Sequence, residues 1–173
     1  MTDVIETKRL KLRRYKASDA ADITRLIGEW DVVKWLTAVP YPYTLADAKE
    51  FIGDPMSKET FGLILDGRFA GGIGLHTVSD GDHLELGYWL GKPYWGQGLM
   101  TEAAQAVVAD HFAQSDDNLT SGYLVGNQPS QNVLSKLGFV NTELLARYCR
   151  SQAKELPLQR MQMTKDRWRH HHD

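Results

Sequence analysis

The segment YWGQGLMTEA, Tyr94 to Ala103, sets two glycines one residue apart directly before an alanine-rich stretch. Such a segment can hold an anion. The first N–H groups of a helix lack internal partners, and the helix dipole adds partial positive charge beside them. Glycine removes the Cβ that would keep a phosphate away from the backbone. Gly96 and Gly98 supply that freedom, and Thr101 adds a hydroxyl at the helix entry.

The spacing discriminates among anionic ligands. A nucleoside triphosphate loop ends in Gly-Lys-Ser/Thr, and no Lys follows Gly98. A dinucleotide fingerprint needs a third glycine where Thr101 stands, and no βαβ unit is evident after it. The diphosphate of a coenzyme A ester remains. A plain strand-to-helix turn would use the same residues.

The elements around the loop read as follows. RLKLRRY (Arg9 to Tyr15) alternates as a strand, and Ser18 and Asp19 offer an N-cap to a helix carrying Ile23, Leu26 and Ile27. Thr44 and Asp47 mark a second helix start. FGLILDGRFAGGIGLHTV (Phe61 to Val78) folds as a hairpin about Asp66-Gly67. HLELGYWL (His83 to Leu90) alternates, with Leu84, Leu86, Tyr88 and Leu90 on one face and Glu85, Gly87 and Trp89 on the other. Ala104, Val107, Val108, His111 and Phe112 fall at helical spacing, and LTSGYLVG forms the next strand. Ser130, Val133, Leu134 and Leu137 share a helix face that Gly138 terminates, and Phe139 begins a return strand. Leu156 to Met163 is a last strand, which Pro157 directs toward an edge or bulge. The expected architecture is a single α/β (α+β) domain with a mixed, mostly antiparallel central sheet flanked by helices.

Composition narrows the setting. The chain has 173 residues, 42% hydrophobic and 24% charged, with a net charge of −2. That balance suits one globular domain and gives no footprint for nucleic acid. One cysteine, Cys149, excludes an internal disulfide and points to a reducing, cytoplasmic setting. The N-terminus has no apolar signal core, and no run reaches the ~20 apolar residues of a membrane span. No metal site is expected. The closing RHHHD is excluded from the fold, and residues 168–173 are set apart as a tail, leaving a domain over 7–167.

Four lines in order, TKRLKLRRYKASDAADI, DVVKWLTAVPYPYTLADAKEFI, ELGYWLGKPYWGQGLMTEA and NQPSQNVLSKLGF, resemble the GNAT acetyltransferases, specifically their RimJ/RimL-like branch. The resemblance covers most of the chain. It implies acetyl-CoA as the acyl donor and a primary amine as the acceptor, either a protein or peptide N-terminus or a small molecule. It implies that the diphosphate rests on amides of Trp95, Gly96, Gln97, Gly98, Leu99 and Met100, with Thr101 behind them. Trp95 replaces the usual Arg or Gln, and Met100 replaces a small residue and would narrow the groove. Leu90 matches the position whose backbone pairs with the pantetheine arm. Asn127 and Asn132 match polar positions lining the coenzyme groove; a turn residue and a solvated helix position are the plainer readings. Lys136 reads as a solvated charge. A homodimer is implied by the same relatives.

The chemistry asks for a base and a proton donor. An α-amine has a pKa near ~8 and a lysine near ~10.4, so most acceptors arrive charged. Glu85 is the base candidate, since the branch often carries an acid there; an exposed strand glutamate is the alternative. His76 is a weaker candidate, read as a solvated loop histidine. The family's usual thiolate donor, a tyrosine, is replaced here by Leu134. Ser130 matches a serine of RimL-like enzymes and could donate instead, unless it merely caps its helix. Tyr88 and Tyr123 have no positional support. Trp30, Trp35, Tyr41 and Tyr43 fall in the segment that shapes the acceptor pocket in relatives. Two other readings stay open: an acyl-CoA-binding module without turnover, favoured by Leu134 and Met100, and a nucleotide-dependent enzyme.

Overall fold

The computed structural model describes residues 3–77 and 84–172, with nothing stated for the Met56 side chain. The chain runs through β1 (Val4–Glu6), β2 (Leu10–Arg13), α1 (Ala20–Ile27), α2 (Trp30–Val33), α3 (Leu45–Gly53), β3 (Thr60–Leu65), β4 (Arg68–Thr77) and β5 (Leu84–Leu90). It continues through α4 (Leu99–Gln114), β6 (Leu119–Leu124), α5 (Gln128–Leu137), β7 (Val140–Cys149), β8 (Lys154–Met163) and α6 (Lys165–His172). Val78 and His83, expected as strand residues, lie outside the described residues.

One eight-stranded sheet has the order β1-β2-β3-β4-β5-β6-β8-β7. Every neighbouring pair is antiparallel except β5 and β6. The exception follows from the crossover through α4, which returns the chain in the same direction. Helices cover both faces. Leu99, Ala103, Val107 and Phe112 of α4 pack with Leu12, Ile73, Leu75 and Leu86 of the sheet, joined by Leu134 and Leu137 of α5. On the other face, Ile23, Leu26 and Ile27 of α1 and Ala48 of α3 enclose Phe69, with Tyr15 and Trp89 at the margin.

Local signals explain several boundaries. Thr44 and Asp47 begin a helix as expected and form a capping box there, the Thr44 hydroxyl accepting from the Asp47 N–H and the Asp47 carboxylate accepting from the Thr44 N–H. Asp66 and Gly67 adopt φ of 49° and 77°, the left-handed pair that a two-residue hairpin turn requires.

Three details depart from expectation. Asp19 does not cap α1 through its side chain; its carboxylate accepts from the Lys16 N–H and from both Arg13 terminal nitrogens, folding the preceding 3-10 turn onto β2. β8 is an interior strand between β6 and β7. Pro157 is accommodated because it stands at the last rung beside β6, where its carbonyl accepts from the Val125 N–H and its missing N–H would face the strand's end. Residues 168–172 of the segment set apart as a tail are the end of α6, with Trp168 beside Phe112, and the preceding Arg167 donates through Nε to the Gly138 carbonyl.

Candidate active site

The site begins where two strands part. β5 and β6 pair only at Leu84 with Leu119 and at Glu85 with Thr120. The Ser121 hydroxyl, buried at 2% exposure, then donates to the Leu86 carbonyl at 2.8 Å. A side chain thus replaces the backbone rung as the gap opens. The register of β5 on β4 fixes what faces that gap. Gly91 donates to Ala70 on the β4 side, so by alternation Trp89 and Gly87 also face β4. The backbone groups of Tyr88 and Leu90 therefore point into the opening.

At the end of β5 the chain turns through a 3-10 segment, Lys92–Tyr94, into the glycine loop and α4. Gly96 and Gly98 both have φ of 73°, and Gly98 caps α4 in the left-handed region. No atom lies within 4 Å of where a Gly96 Cβ would stand, so the loop leaves open space above its backbone. Trp95 to Gly98 are exposed, whereas Leu99 and Met100 turn into the core. Met100, at 6% exposure, belongs to the core cluster beneath the loop. The Trp95 indole N–H donates to the Leu90 carbonyl at 2.7 Å, folding the loop back on the strand end. An open glycine loop at a helix start, next to a strand end whose Leu90 carbonyl is taken by Trp95 while the Tyr88 backbone still faces the gap, has the features of an anion site.

The loop is braced from the N-terminus, which the sequence did not reveal. Arg9 Nη1 donates to the Gln97 carbonyl at 2.8 Å, and Arg9 Nε donates to Glu102 Oε2 at 2.7 Å. The other Glu102 oxygen accepts from the Arg9 N–H at 2.8 Å and from the Thr7 hydroxyl at 2.6 Å. Burial raises the Glu102 pKa, but these donors and the Arg9 charge outweigh it and hold the carboxyl below its ordinary value. The signal was the TKRL line and the Thr-Glu pair after the loop, 88 to 95 residues apart.

Glu85 and His76 stand opposite each other on the α1/α3 face. Glu85 is half-buried, as is His76, which lies within β4 rather than in a solvated loop. Burial lowers the His76 pKa, with Glu59 and Glu85 pulling it back, and Nδ1 is buried without a hydrogen-bond partner. The imidazole ring lies over Gly87, where a Cβ would meet it at 3.3 Å.

On the other face, Asn127 caps α5: its side-chain oxygen accepts from the Ser130 N–H at 3.3 Å. Ser130 is thus not the cap, and its hydroxyl lies 2.9 Å from the Tyr88 hydroxyl. Leu134, one turn further on, is fully buried in the core at 0% exposure. Asn132 is exposed on α5 and accepts from Gln128.

The four aromatic residues separate. Trp30 and Tyr41, exposed by 43% and 47%, meet edge to face at 5.0 Å. Trp35 is half-buried, its ring beside Gly126 after β6. Tyr43 packs against the α1/α3 core, where burial raises its pKa to about 12. The segment is held by Asp31, which bridges Lys34 and Lys92 at 2.8 and 2.7 Å. Hydrogen bonds first from Lys34 and then from Lys92 lower the Asp31 pKa to about 2. Arg150, Ser151 and Gln152, at the β7–β8 turn, bond the backbone of residues 33–38.

Among the described residues no group of three His, Cys, Asp or Glu is placed to hold a metal ion, and no helix is long and apolar enough to cross a membrane.

Comparison with known proteins agrees with this geometry. Residues 9–140 match the family model for an acetyltransferase (GNAT) domain. "Putative ribosomal N-acetyltransferase YdaF" of Bacillus subtilis (strain 168) is 26% identical over 142 residues, spanning 76% of this chain and 78% of that protein. The crystal structure of a GNAT-family acetyltransferase from Bacillus anthracis superimposes with a TM-score of 0.83 at 21% identity, covering 94% of this chain and 99% of that one. RimL, a ribosomal L7/L12 alpha-N-protein acetyltransferase solved with coenzyme A, superimposes with a TM-score of 0.81 at 17% identity, covering 93% and 97%. The chain belongs to the GNAT acetyltransferase family and is an acyl-CoA-dependent acetyltransferase.

Proposed function

We propose that the protein acetylates a primary amine, with a protein or peptide N-terminus as the preferred acceptor over a small-molecule amine. Acetyl-CoA supplies an activated acetyl group. The amides of residues 95–101 hold its diphosphate, and the gap-facing Tyr88 backbone and Leu90 N–H receive the pantetheine arm. The observation that carries this reading is the continuity of the open glycine loop with the gap between β5 and β6.

Glu85 serves as the base, directly or through water. It stands on the sheet face that meets α1 and α3, the side bounded by the α2 segment. An α-amine, with a pKa near ~8, needs less help to lose its proton than a lysine near ~10.4. Ser130, on the opposite face, donates to the leaving sulfur. Trp30 and Tyr41 offer ring faces to the acceptor chain. The names of YdaF and RimL favour a ribosomal protein terminus among acceptors.

A thiol-release assay over peptides with free N-termini, small amines and aminoglycosides tests the reading. Peptides should turn over fastest. Glu85→Gln should lower kcat by about 100-fold, the weight of a positioned base, with acetyl-CoA affinity retained. Release that depends on no amine, or a parallel loss of coenzyme binding in the variant, would overturn it.

A further inference from the structure

The unexplained feature of the site is Leu134. The position expected to carry the donor to sulfur is a core leucine, and Ser130 alone is a weak acid. The structure brings a second hydroxyl to the same place from another element. Tyr88 projects from β5 on the face covered by α4 and α5, and its oxygen lies 2.9 Å from Ser130 Oγ and 3.2 Å from the Ser130 carbonyl. The backbone of Tyr88 faces the gap, so its phenol spans from the coenzyme strand to the first turn of α5. Ser130's own N–H is occupied by Asn127, which fixes the turn.

We propose that Tyr88 is a positioning residue that orients and polarises the Ser130 hydroxyl toward the leaving sulfur, in the role that a tyrosine at position 134 would otherwise fill. The inference rests on the reading of Ser130 as the donor. In this proposal the phenol's single proton goes to Ser130 Oγ at 2.9 Å rather than to the Ser130 carbonyl at 3.2 Å, which leaves the Ser130 proton for a hydrogen bond to sulfur. A chain of two hydroxyls polarises along its length, strengthening its last bond. Burial raises the Tyr88 pKa, so the phenol keeps its proton and acts as a donor at neutral pH. The influences on that phenol are burial and the Ser130 hydroxyl, with no charged side chain among them. The step balances without consuming either hydroxyl. The C–S bond breaks as the N–C bond forms, and the sulfur keeps the electron pair. The amine's proton leaves through the base, and the sulfur's proton comes from water.

The test combines turnover with coenzyme A binding, which needs no reaction. A donor aimed at sulfur favours bound thiolate, so coenzyme A should bind more tightly as pH rises from about 6 to about 9, across the ordinary thiol pKa of about 8.5. Tyr88→Phe should abolish most of that tightening and lower kcat about tenfold, while the acetyl-CoA KM stays within about twofold. Ser130→Ala should do the same, and the double variant should be no worse than Ser130→Ala. Thermal melting of Tyr88→Phe checks that the fold persists. A Tyr88→Phe enzyme that is merely less stable, with the pH-dependent tightening intact, would overturn the positioning role. So would additive losses in the double variant. If Ser130→Ala itself keeps kcat and the tightening, Ser130 is not the donor and the positioning role of Tyr88 falls with it, while amine-dependent turnover would still support the proposed acetyl transfer.

Discussion

Arg9 offers the sharpest test of how the coenzyme loop is held. Arg9→Met keeps the apolar stem and deletes two bonds, one to the Gln97 carbonyl and one to Glu102. The Glu102 bonds to the Arg9 N–H and to Thr7 remain, so the carboxylate is not orphaned. Hydrogen bonds to charged groups are worth about 1.5–3 kcal/mol each where buried. The two side chains here are 40% and 19% exposed, and solvent reduces such an ion pair to under about 1 kcal/mol. The expected stability loss is therefore about 1–2 kcal/mol for the two bonds together, read as a shift of the urea midpoint at constant slope. The functional consequence is separate. Without its brace the Gln97 peptide must be ordered when coenzyme binds, at a cost of about 1–2 kcal/mol, roughly a tenfold loss of affinity. Titration calorimetry with coenzyme A measures it. Glu102→Gln in a double-mutant cycle with Arg9→Met isolates the ion pair, with a coupling of about 0.5–1 kcal/mol that salt diminishes. A stability loss of the stated size with affinity within about twofold of the parent would refute the claim that Arg9 orders the loop for coenzyme.

Two further outcomes follow from the same geometry. Ser121→Ala should cost about 1–3 kcal/mol in urea unfolding, because it leaves the Leu86 carbonyl without its buried donor at the mouth of the gap; a loss under about 0.5 kcal/mol would show that the hydroxyl is dispensable there. His76, whose folded pKa is lowered, binds fewer protons than the unfolded chain once pH falls below about 6.5, so its contribution is complete above that pH and is lost on acidification. His76→Gln should accordingly flatten the decline of stability between about pH 7 and pH 5, and an unchanged slope in urea melts across that range would contradict it.

What the sequence revealed and what it hid divide along chain distance. The Thr44/Asp47 helix start, the Asp66–Gly67 turn and the Gly138 cap depend on residues within a turn of one another, and all three form as read. The glycine loop was legible as a helix start, and its open space follows from the same two residues. Pro157 was misread because edge or interior is a property of strand order, which no local pattern encodes. Asp19 was misread because Arg13, on the preceding strand, competes for its carboxylate. The Tyr88–Ser130 pair joins residues 42 apart, and the Arg9 brace spans 88, so neither could be seen without the fold. The aromatic segment shows the limit from the other side. Its composition suggested a wall of four rings, yet burial draws Tyr43 into the core and leaves Trp30 with Tyr41 outside.

The attachment of the α2 segment has a consequence for how the molecule is made. Four residues cannot sustain a helix alone. α2 and the turns after it are pinned by Arg150, Ser151 and Gln152, partners 112 to 118 residues later in the chain. During synthesis this segment emerges early and lacks these partners until more than a hundred further residues have followed. The segment proposed to meet the acceptor thus completes its contacts late, and losing the distant turn would loosen it while the glycine loop, braced from the N-terminus, stayed in shape.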